Sequence, residues 1–124
     1  MTADKSKSLL ASLEGRRMFA VNFVVDYVQL QFHPDYVLSA LTLPIVGKDG
    51  ARWSSDQPGY RDALVDQIGK IVTSTSETKE ELKVVLDGNV EIVIRLDVKG
   101  LPGSERAMLD GGRRPLNVWQ SSFA

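Results

Sequence analysis

The sequence predicts an α+β fold: a mainly antiparallel sheet, twisted or partly closed into a barrel, that is built from two pseudo-symmetric β meanders with one packed helix. Three observations predict it. A pattern of apolar and turn residues occurs twice, 54 positions apart, in the 124-residue chain. Within each copy, apolar and polar residues alternate as they do in half-buried strands. Only residues 58–68 combine helical spacing of apolar side chains with a typical helix start and end.

The chain length suits one domain with a single hydrophobic core. We expect residues 1–124 to divide into five parts. In order, these are a flexible N-terminal tail over 1–8, repeat one over about 9–53, the helix over 58–68, repeat two over about 69–109, and a C-terminal strand over about 113–120.

The repeat preserves hydrophobic pattern and turn position rather than residue identity. Adding 54 to a position in the first copy gives the corresponding position in the second. The pairs are Gly15 and Gly69, Val28 and Leu82, Leu30 and Val84, Phe32 and Leu86, Tyr36 and Val90, and Leu38 and Ile92.

Repeat one begins with a short helical turn over 9–13, which Gly15 can end in a left-handed conformation. Alternation and turn residues then predict the strands. The expected strands are 16–25, 27–32 and 36–46 in the first copy and 70–78, 81–86 and 90–98 in the second, with a polar loop over 52–57 between the copies.

The alternation also predicts how the strands pair, since a slip of one residue would mix the polar and apolar faces. Each copy has a hairpin with a three-residue loop, His33–Asp35 in the first and Asp87–Asn89 in the second. The expected pairs are Phe32–Tyr36, Leu30–Leu38 and Val28–Ala40, then Leu86–Val90, Val84–Ile92 and Leu82–Ile94.

The helix over 58–68 has Pro58 in its first turn and Gly69 after its last residue, which are common positions for these residue types. Tyr60, Leu64 and Ile68 recur at i, i+4 and i+8, so we expect these three side chains to pack on the sheet. Near the C-terminus, we expect a strand over 105–109 and a turn over 110–112 before the last strand.

Composition excludes several classes of function. The chain has no cysteine and one histidine, which rules out disulfides, thiolate catalysis and multi-histidine metal centres. Its formal net charge is −1, whereas nucleic-acid-binding domains usually carry a basic excess. The longest apolar stretch, residues 18–25, is too short to cross a membrane as a helix. We therefore expect a cytoplasmic protein with no bound metal or cofactor and with neither nucleic acid nor membrane as partner.

Two groups of residues are candidates for catalysis. His33 has the one side chain whose ordinary pKa lies near neutrality, but it sits at a hairpin tip with no nucleophile indicated nearby. Glu77, Glu80 and Glu81 are close in sequence, but they fall in a turn that we expect to be solvated. We therefore predict no catalytic residue.

Aromatic and arginine residues give the candidates for binding, because both are enriched at protein–protein interfaces. Trp53 neighbours Arg52, and Trp119 lies near Arg113 and Arg114. The arginines follow Gly111–Gly112, a combination that can also bind an anion. The alternative is that both tryptophans cover the ends of the core.

Short motifs along the chain resemble those of a group of small bacterial proteins that contain two β meanders. The matching residues are Leu13–Gly15, Leu82–Gly88, Gly111–Gly112 and Leu116–Trp119. Where that group often has an aromatic-rich stretch, this chain has Ser104–Met108. Some proteins of similar construction are immunity proteins of bacterial toxin systems, and the resemblance implies a similar role without assigning it to any residue.

Three functions follow as hypotheses. The first is a non-catalytic protein-binding domain of bacterial origin, whose partner could be a toxin. The second is a small-ligand-binding module with a cavity between the meanders, and the third is an enzyme that uses His33 or the Glu77–Glu81 cluster. A homodimer is also considered, because the last strand or the strand around 73–76 could pair at a sheet edge.

Overall fold

A computed structural model describes residues 9–98, 105–111 and 117–120 of the chain. These residues form a short 3-10 helix, ten strands and one α-helix. The 3-10 helix is Leu9–Leu13 and the α-helix, α1, is Tyr60–Val65. The strands are β1 (Met18–Val24), β2 (Tyr27–Phe32), β3 (Tyr36–Ala40), β4 (Ile45–Lys48), β5 (Ala51–Trp53), β6 (Val72–Glu77), β7 (Glu81–Leu86), β8 (Val90–Arg95), β9 (Glu105–Asp110) and β10 (Asn117–Gln120).

The strands form two antiparallel sheets of five, and the sheets do not close into a barrel. The first sheet has the order β1-β2-β3-β9-β10 and the second the order β5-β4-β8-β7-β6. With one α-helix among the described elements, the predicted α+β class is confirmed. We expected a single main sheet, because the alternation of side chains does not show which strands are neighbours.

The two halves meet at a local pseudo-two-fold axis that relates each residue to the one 54 positions later. Arg17 and Ile71 form an isolated antiparallel bridge where β1 and β6 begin. Around it, hydrogen bonds occur in matched pairs. Gly15 N donates to Val72 O at 2.8 Å and Gly69 N to Met18 O at 2.7 Å, while Val72 N donates to Arg16 O at 2.8 Å and Met18 N to Lys70 O at 2.9 Å. The repeat is therefore a symmetry of the backbone as well as of the sequence.

The predicted hairpin registers are confirmed in both copies. The β2–β3 pairs include Phe32 with Tyr36, Leu30 with Leu38 and Val28 with Ala40. The β7–β8 pairs include Leu86 with Val90, Val84 with Ile92 and Leu82 with Ile94. Even the irregularities repeat, since the β1–β2 register shifts between Met18 and Ala20 and the β6–β7 register between Val72 and Ser74.

Each meander is extended by a hairpin from the other half of the chain. The hairpin β4–β5 pairs with β8, and the hairpin β9–β10 pairs with β3. The strand expected over 36–46 is accordingly two strands in different sheets, because the chain bends at Leu41 and Thr42 and passes through Pro44 before β4. Trp53, expected in a loop, lies in β5.

The helix is shorter than predicted, Tyr60–Val65 rather than 58–68. Tyr60 and Leu64 are buried as expected, and Ala63 is buried beside them. Ile68 is 41% exposed, because residues 66–69 continue as turns and no longer present it to the core. The Tyr60 hydroxyl donates to Pro44 O at 2.6 Å, which joins α1 to the segment before β4.

The core lies between the sheets and contains side chains from both. Phe32, Leu30 and Leu38 enter it from the first sheet, and Val84 and Ile92 from the second. These side chains are at most 1% exposed, and each contributes about 1.5–3 kcal/mol through burial. The core thus fixes which face of each strand is left on the surface.

Candidate functional site

Arg52 and Trp53 lie in β5, the outer strand of the second sheet, and their environments differ. Arg52 is exposed and borders a surface cavity of about 250 Å³ together with Lys48, Asp49 and Glu91. Trp53 is half-buried and packs against the core. The structure therefore places these neighbours on opposite faces of one strand, where they do not form a single patch.

Trp119 contributes to packing between the sheets. It is 7% exposed, and its Nε1 donates to Glu77 Oε2 at 2.8 Å. Because Trp119 lies in the first sheet and Glu77 in the second, this hydrogen bond links the two sheets. Trp53 and Trp119 occupy outer strands of different sheets. Arg113 and Arg114 lie outside the described residues.

The glutamates over 77–81 are close in sequence but have different partners. Glu77 accepts from Trp119, whereas Glu81 accepts from Arg95 Nη1 at 2.8 Å. Arg95 also donates from Nε to Asp97 Oδ1 at 3.0 Å. Hydrogen bonding from Arg95 lowers the pKa of Asp97, and the same contact raises the pKa of Arg95. These carboxylates are held in ion pairs and hydrogen bonds rather than facing a common site.

His33 lies at the exposed turn between β2 and β3, as predicted. Its ring stacks on Phe19 with the centroids 4.5 Å apart. Within residues 9–98, 105–111 and 117–120, no side chain hydrogen-bonds to this ring. The same ranges contain no group of three or more His, Cys, Asp or Glu side chains placed to hold a metal ion. Nor do they contain a helix with the length and apolar character needed to span a membrane.

The outward face of the first meander is free of charged side chains. Inward residues of β1–β3 alternate with eight outward residues that carry only apolar, hydroxyl or amide groups. We call these eight residues the neutral face: Ala20, Asn22, Val24, Tyr27, Gln29, Gln31, Val37 and Ser39. Ser39 is 6% exposed and Asn22 is exposed, while the others are half-buried.

Three strands of the neutral face are connected by a row of polar side chains. Asn22 Nδ2 donates to Gln29 Oε1 at 3.1 Å, and Gln29 Nε2 reaches Ser39 Oγ at 3.4 Å. On β9 and β10 the surface continues with Met108 and Val118, which pair with each other across the strands. Asp110 of β9 pairs with Val37 on the same side of the sheet, so the surface without charged side chains is that of β1–β3, with amide groups between apolar side chains.

The second sheet carries charge at three of the eight equivalent positions. Adding 54 to Tyr27, Gln29 and Val37 gives Glu81, Lys83 and Glu91. Lys83 Nζ lies 3.9 Å from a Glu81 oxygen and 3.8 Å from a Glu91 oxygen. One outward face therefore carries ion pairs at these three positions, and the symmetry-related face carries neutral side chains there.

No known protein family, curated protein or solved structure matches this chain. The geometry of its two faces is consequently the basis for a functional proposal.

Sequence reasoning missed the neutral face, although the signal was present. The apolar positions of the repeat predict the strands and their registers, whereas the difference between the two faces lies at the positions between them. Comparing Gln29 with Lys83 and Val37 with Glu91 would have shown that one copy is charged and the other is not. That comparison needs only the repeat and the strand alternation.

Proposed function

We propose that this protein is a non-catalytic protein-binding domain and that its partner docks on the neutral face. The single observation behind the proposal is that one of two symmetry-related surfaces has neutral side chains at the three positions where the other is charged. Depletion of charged residues, with tyrosine and methionine present, is typical of the central part of protein–protein interfaces.

The internal repeat makes this argument stronger than composition alone. Both meanders have the same backbone, the same hairpin registers and the same bulge position, so the requirements of folding on the two outer faces are alike. Folding therefore tolerates Glu81, Lys83 and Glu91 on such a face. The absence of such charges from the outward face of β1–β3 is better explained by binding, because charged side chains are costly to remove from water.

The partner is a protein other than a second copy of this chain, with a contact patch that is itself short of charge. Asn22, Gln29 and Gln31 would hydrogen-bond to it, while Tyr27 and Val37 would supply apolar contact area. The resemblance to immunity-type proteins makes a bacterial toxin the first partner class to test.

The test exchanges residues between the two symmetry-related positions. In the variant Gln29→Lys/Val37→Glu, the neutral face receives the charged pair that the second sheet carries. The matched control, Lys83→Gln/Glu91→Val, makes the reverse exchange. Neither variant alters the net charge. Each introduced residue is the one that the other copy has at the equivalent position, so we expect both variants to fold.

Each protein is co-expressed with the tagged products of the adjacent genes, and any complex is measured by calorimetry. We expect the wild type and the control to bind one product with similar affinity. The neutral-face variant should bind at least about tenfold more weakly, because its new charges lose solvation in the interface. Equal binding by all three proteins, or no binding to any product, refutes the proposal. Sedimentation that shows a dimer dissociated by the neutral-face variant also refutes it, in favour of self-association.

A further inference from the structure

The outer edge of β1 differs from the corresponding edge of the second sheet. β1 is the last strand of the first sheet and β6 of the second, and the repeat relates the two strands to each other. In an antiparallel sheet, an edge strand leaves the N–H and C=O of every second residue without a partner strand. The treatment of these groups on the two edges therefore shows which edge is available to another strand.

The edge of β6 is closed by a side chain. Glu14 Oε2 accepts from Thr75 N and from Thr75 Oγ1, both at 2.9 Å. The Thr75 N–H therefore points to the outer edge, and the carboxylate occupies the place that a neighbouring strand would take. Pairing through the strand around 73–76, which the sequence offers as one route to a homodimer, would have to displace this contact.

The edge of β1 has no equivalent cover among the described residues. The position that corresponds to Thr75 is Val21, and the position that corresponds to Glu14 is Ile68. Because the register shift occurs at the same place in β1 and β6, the Val21 N–H also points to the outer edge. An isoleucine side chain has no hydrogen-bond acceptor, and no described group accepts from Val21 N. This edge is therefore open where the other is closed.

The side chains along the open edge are apolar. Neither β1 nor the residue after it is charged, although charge is a common protection of edge strands. Phe19 and Ile68 are about two-fifths exposed, and Val25 is fully exposed. Gly69 N donates to Met18 O, so Ile68 lies beside the start of β1, while Val25 follows its end. Exposed apolar groups thus lie at both ends of the strand.

We propose that the β1 strands of two copies of this chain pair antiparallel about a two-fold axis at Asn22. In this register, Val21 of one copy lies opposite Phe23 of the other, and Ala20 lies opposite Val24. Val21 and Phe23 are two residues apart and both direct their backbone groups to the outer edge, so each N–H meets a C=O of the other copy. A shift of one residue would set inward side chains against outward ones.

The exposed apolar groups favour a second copy over a different strand as the occupant. Because the pairing is antiparallel, Val25 of each copy reaches the start of β1 in the other, where Phe19 and Ile68 are exposed. The edge is therefore complementary to itself, as a two-fold interface requires. Pairing also joins the neutral faces of the two copies into one continuous surface, on which a partner of another kind can still bind.

The test transfers the edge closure of the second sheet to the first. Sedimentation equilibrium from micromolar to millimolar concentration should show that the wild-type chain forms a dimer. In Ile68→Glu, a carboxylate takes the place that Glu14 has beside β6 and accepts from Val21 N. The dissociation constant of the dimer should rise at least about tenfold, because each copy loses a backbone hydrogen bond across the interface. The control Leu43→Glu introduces the same charge at an exposed apolar residue between β3 and β4, and it should dimerise as the wild type does.

Two variants at the axis test the register without relying on Ile68→Glu. Asn22 is exposed, so Asn22→Lys and Asn22→Asp should both fold. Each variant alone places like charges opposite each other and should dimerise more weakly than the wild type. An equimolar mixture places opposite charges at the axis, so its heterodimer should be tighter than either homodimer.

The inference is overturned if the wild type is monomeric throughout, or if Ile68→Glu dimerises as tightly as the wild type. Loss of the dimer in Leu43→Glu, no gain on mixing the Asn22 variants, or growth beyond a dimer also overturns it. The neutral-face variant Gln29→Lys/Val37→Glu changes only β2 and β3 and should dimerise normally. The edge and the proposed protein-binding function are therefore tested by different variants.

Discussion

Replacing Gly15 or Gly69 by alanine tests the symmetric joint between the two halves. Both glycines have positive φ, +85° and +100°, and each donates its N–H across the joint. A Cβ atom at either position would meet no atom within 4 Å, so the cost of the substitution is backbone strain alone. Left-handed conformation costs an L-residue about 1–2 kcal/mol. Alanine recovers about 0.4–1 kcal/mol by restricting the unfolded chain.

The net expectation is a loss of about 1 kcal/mol of unfolding free energy in each variant, nearly equal in the two. Urea denaturation followed by tryptophan fluorescence measures it. Gly47→Ala is the control, because the φ of Gly47 is outside the left-handed range and its Cβ would only touch Ala51 O at 3.9 Å. That variant should be as stable as the wild type or slightly more so. The reasoning is refuted if Gly47→Ala costs as much as the others, or if Gly15→Ala and Gly69→Ala differ by more than about 1 kcal/mol.

Two further predictions concern side-chain hydrogen bonds between separate elements, one buried and one partly buried. Tyr60→Phe should lower the unfolding free energy by about 1–2 kcal/mol, because Pro44 O loses its donor. Burial raises the pKa of Tyr60, so the tyrosine ionises more readily in the unfolded chain than in the folded protein. Its contribution to the unfolding free energy is therefore complete below about pH 10 and declines above that pH. Between neutral and alkaline pH, the urea midpoint of the wild type should fall more steeply than that of Tyr60→Phe. Glu77→Ala should cost about 1–2 kcal/mol by leaving Trp119 Nε1 without an acceptor, while Glu77→Gln, which keeps an acceptor oxygen, should cost less than half as much. Equal losses for the two Glu77 variants, or parallel pH profiles for the wild type and Tyr60→Phe, would contradict these assignments.

The hairpins were predictable because their determinants are local. In β2 and β3, alternation of side chains and a short loop admit one register that keeps Leu30 and Leu38 on the buried face. The same reasoning placed Leu86 opposite Val90. Helix ends were less predictable, since Ile68 has the right spacing for the buried face and yet lies in a turn after Val65.

The candidate sites were predicted less well than the strands. Residue type pointed to Trp53 and Trp119, but it could not show that one lines a cavity and the other links two sheets. A cavity beside α1 is lined by Trp53 and Gln67. Those two residues reach the cavity from different elements, and only their packing brings them together.

The sequence by itself determined the two meanders, their hairpin registers and the left-handed conformation of Gly15, because neighbouring residues set side-chain alternation and turn geometry. Tertiary structure decided the exchange of hairpins, in which β4 joins β8 and β9 joins β3. Alternation describes the faces of a strand but carries no information about its distant neighbour, so either meander could have accepted either hairpin. That exchange, together with the core between the sheets, determines which residues form the neutral face and which surround the cavity beside α1.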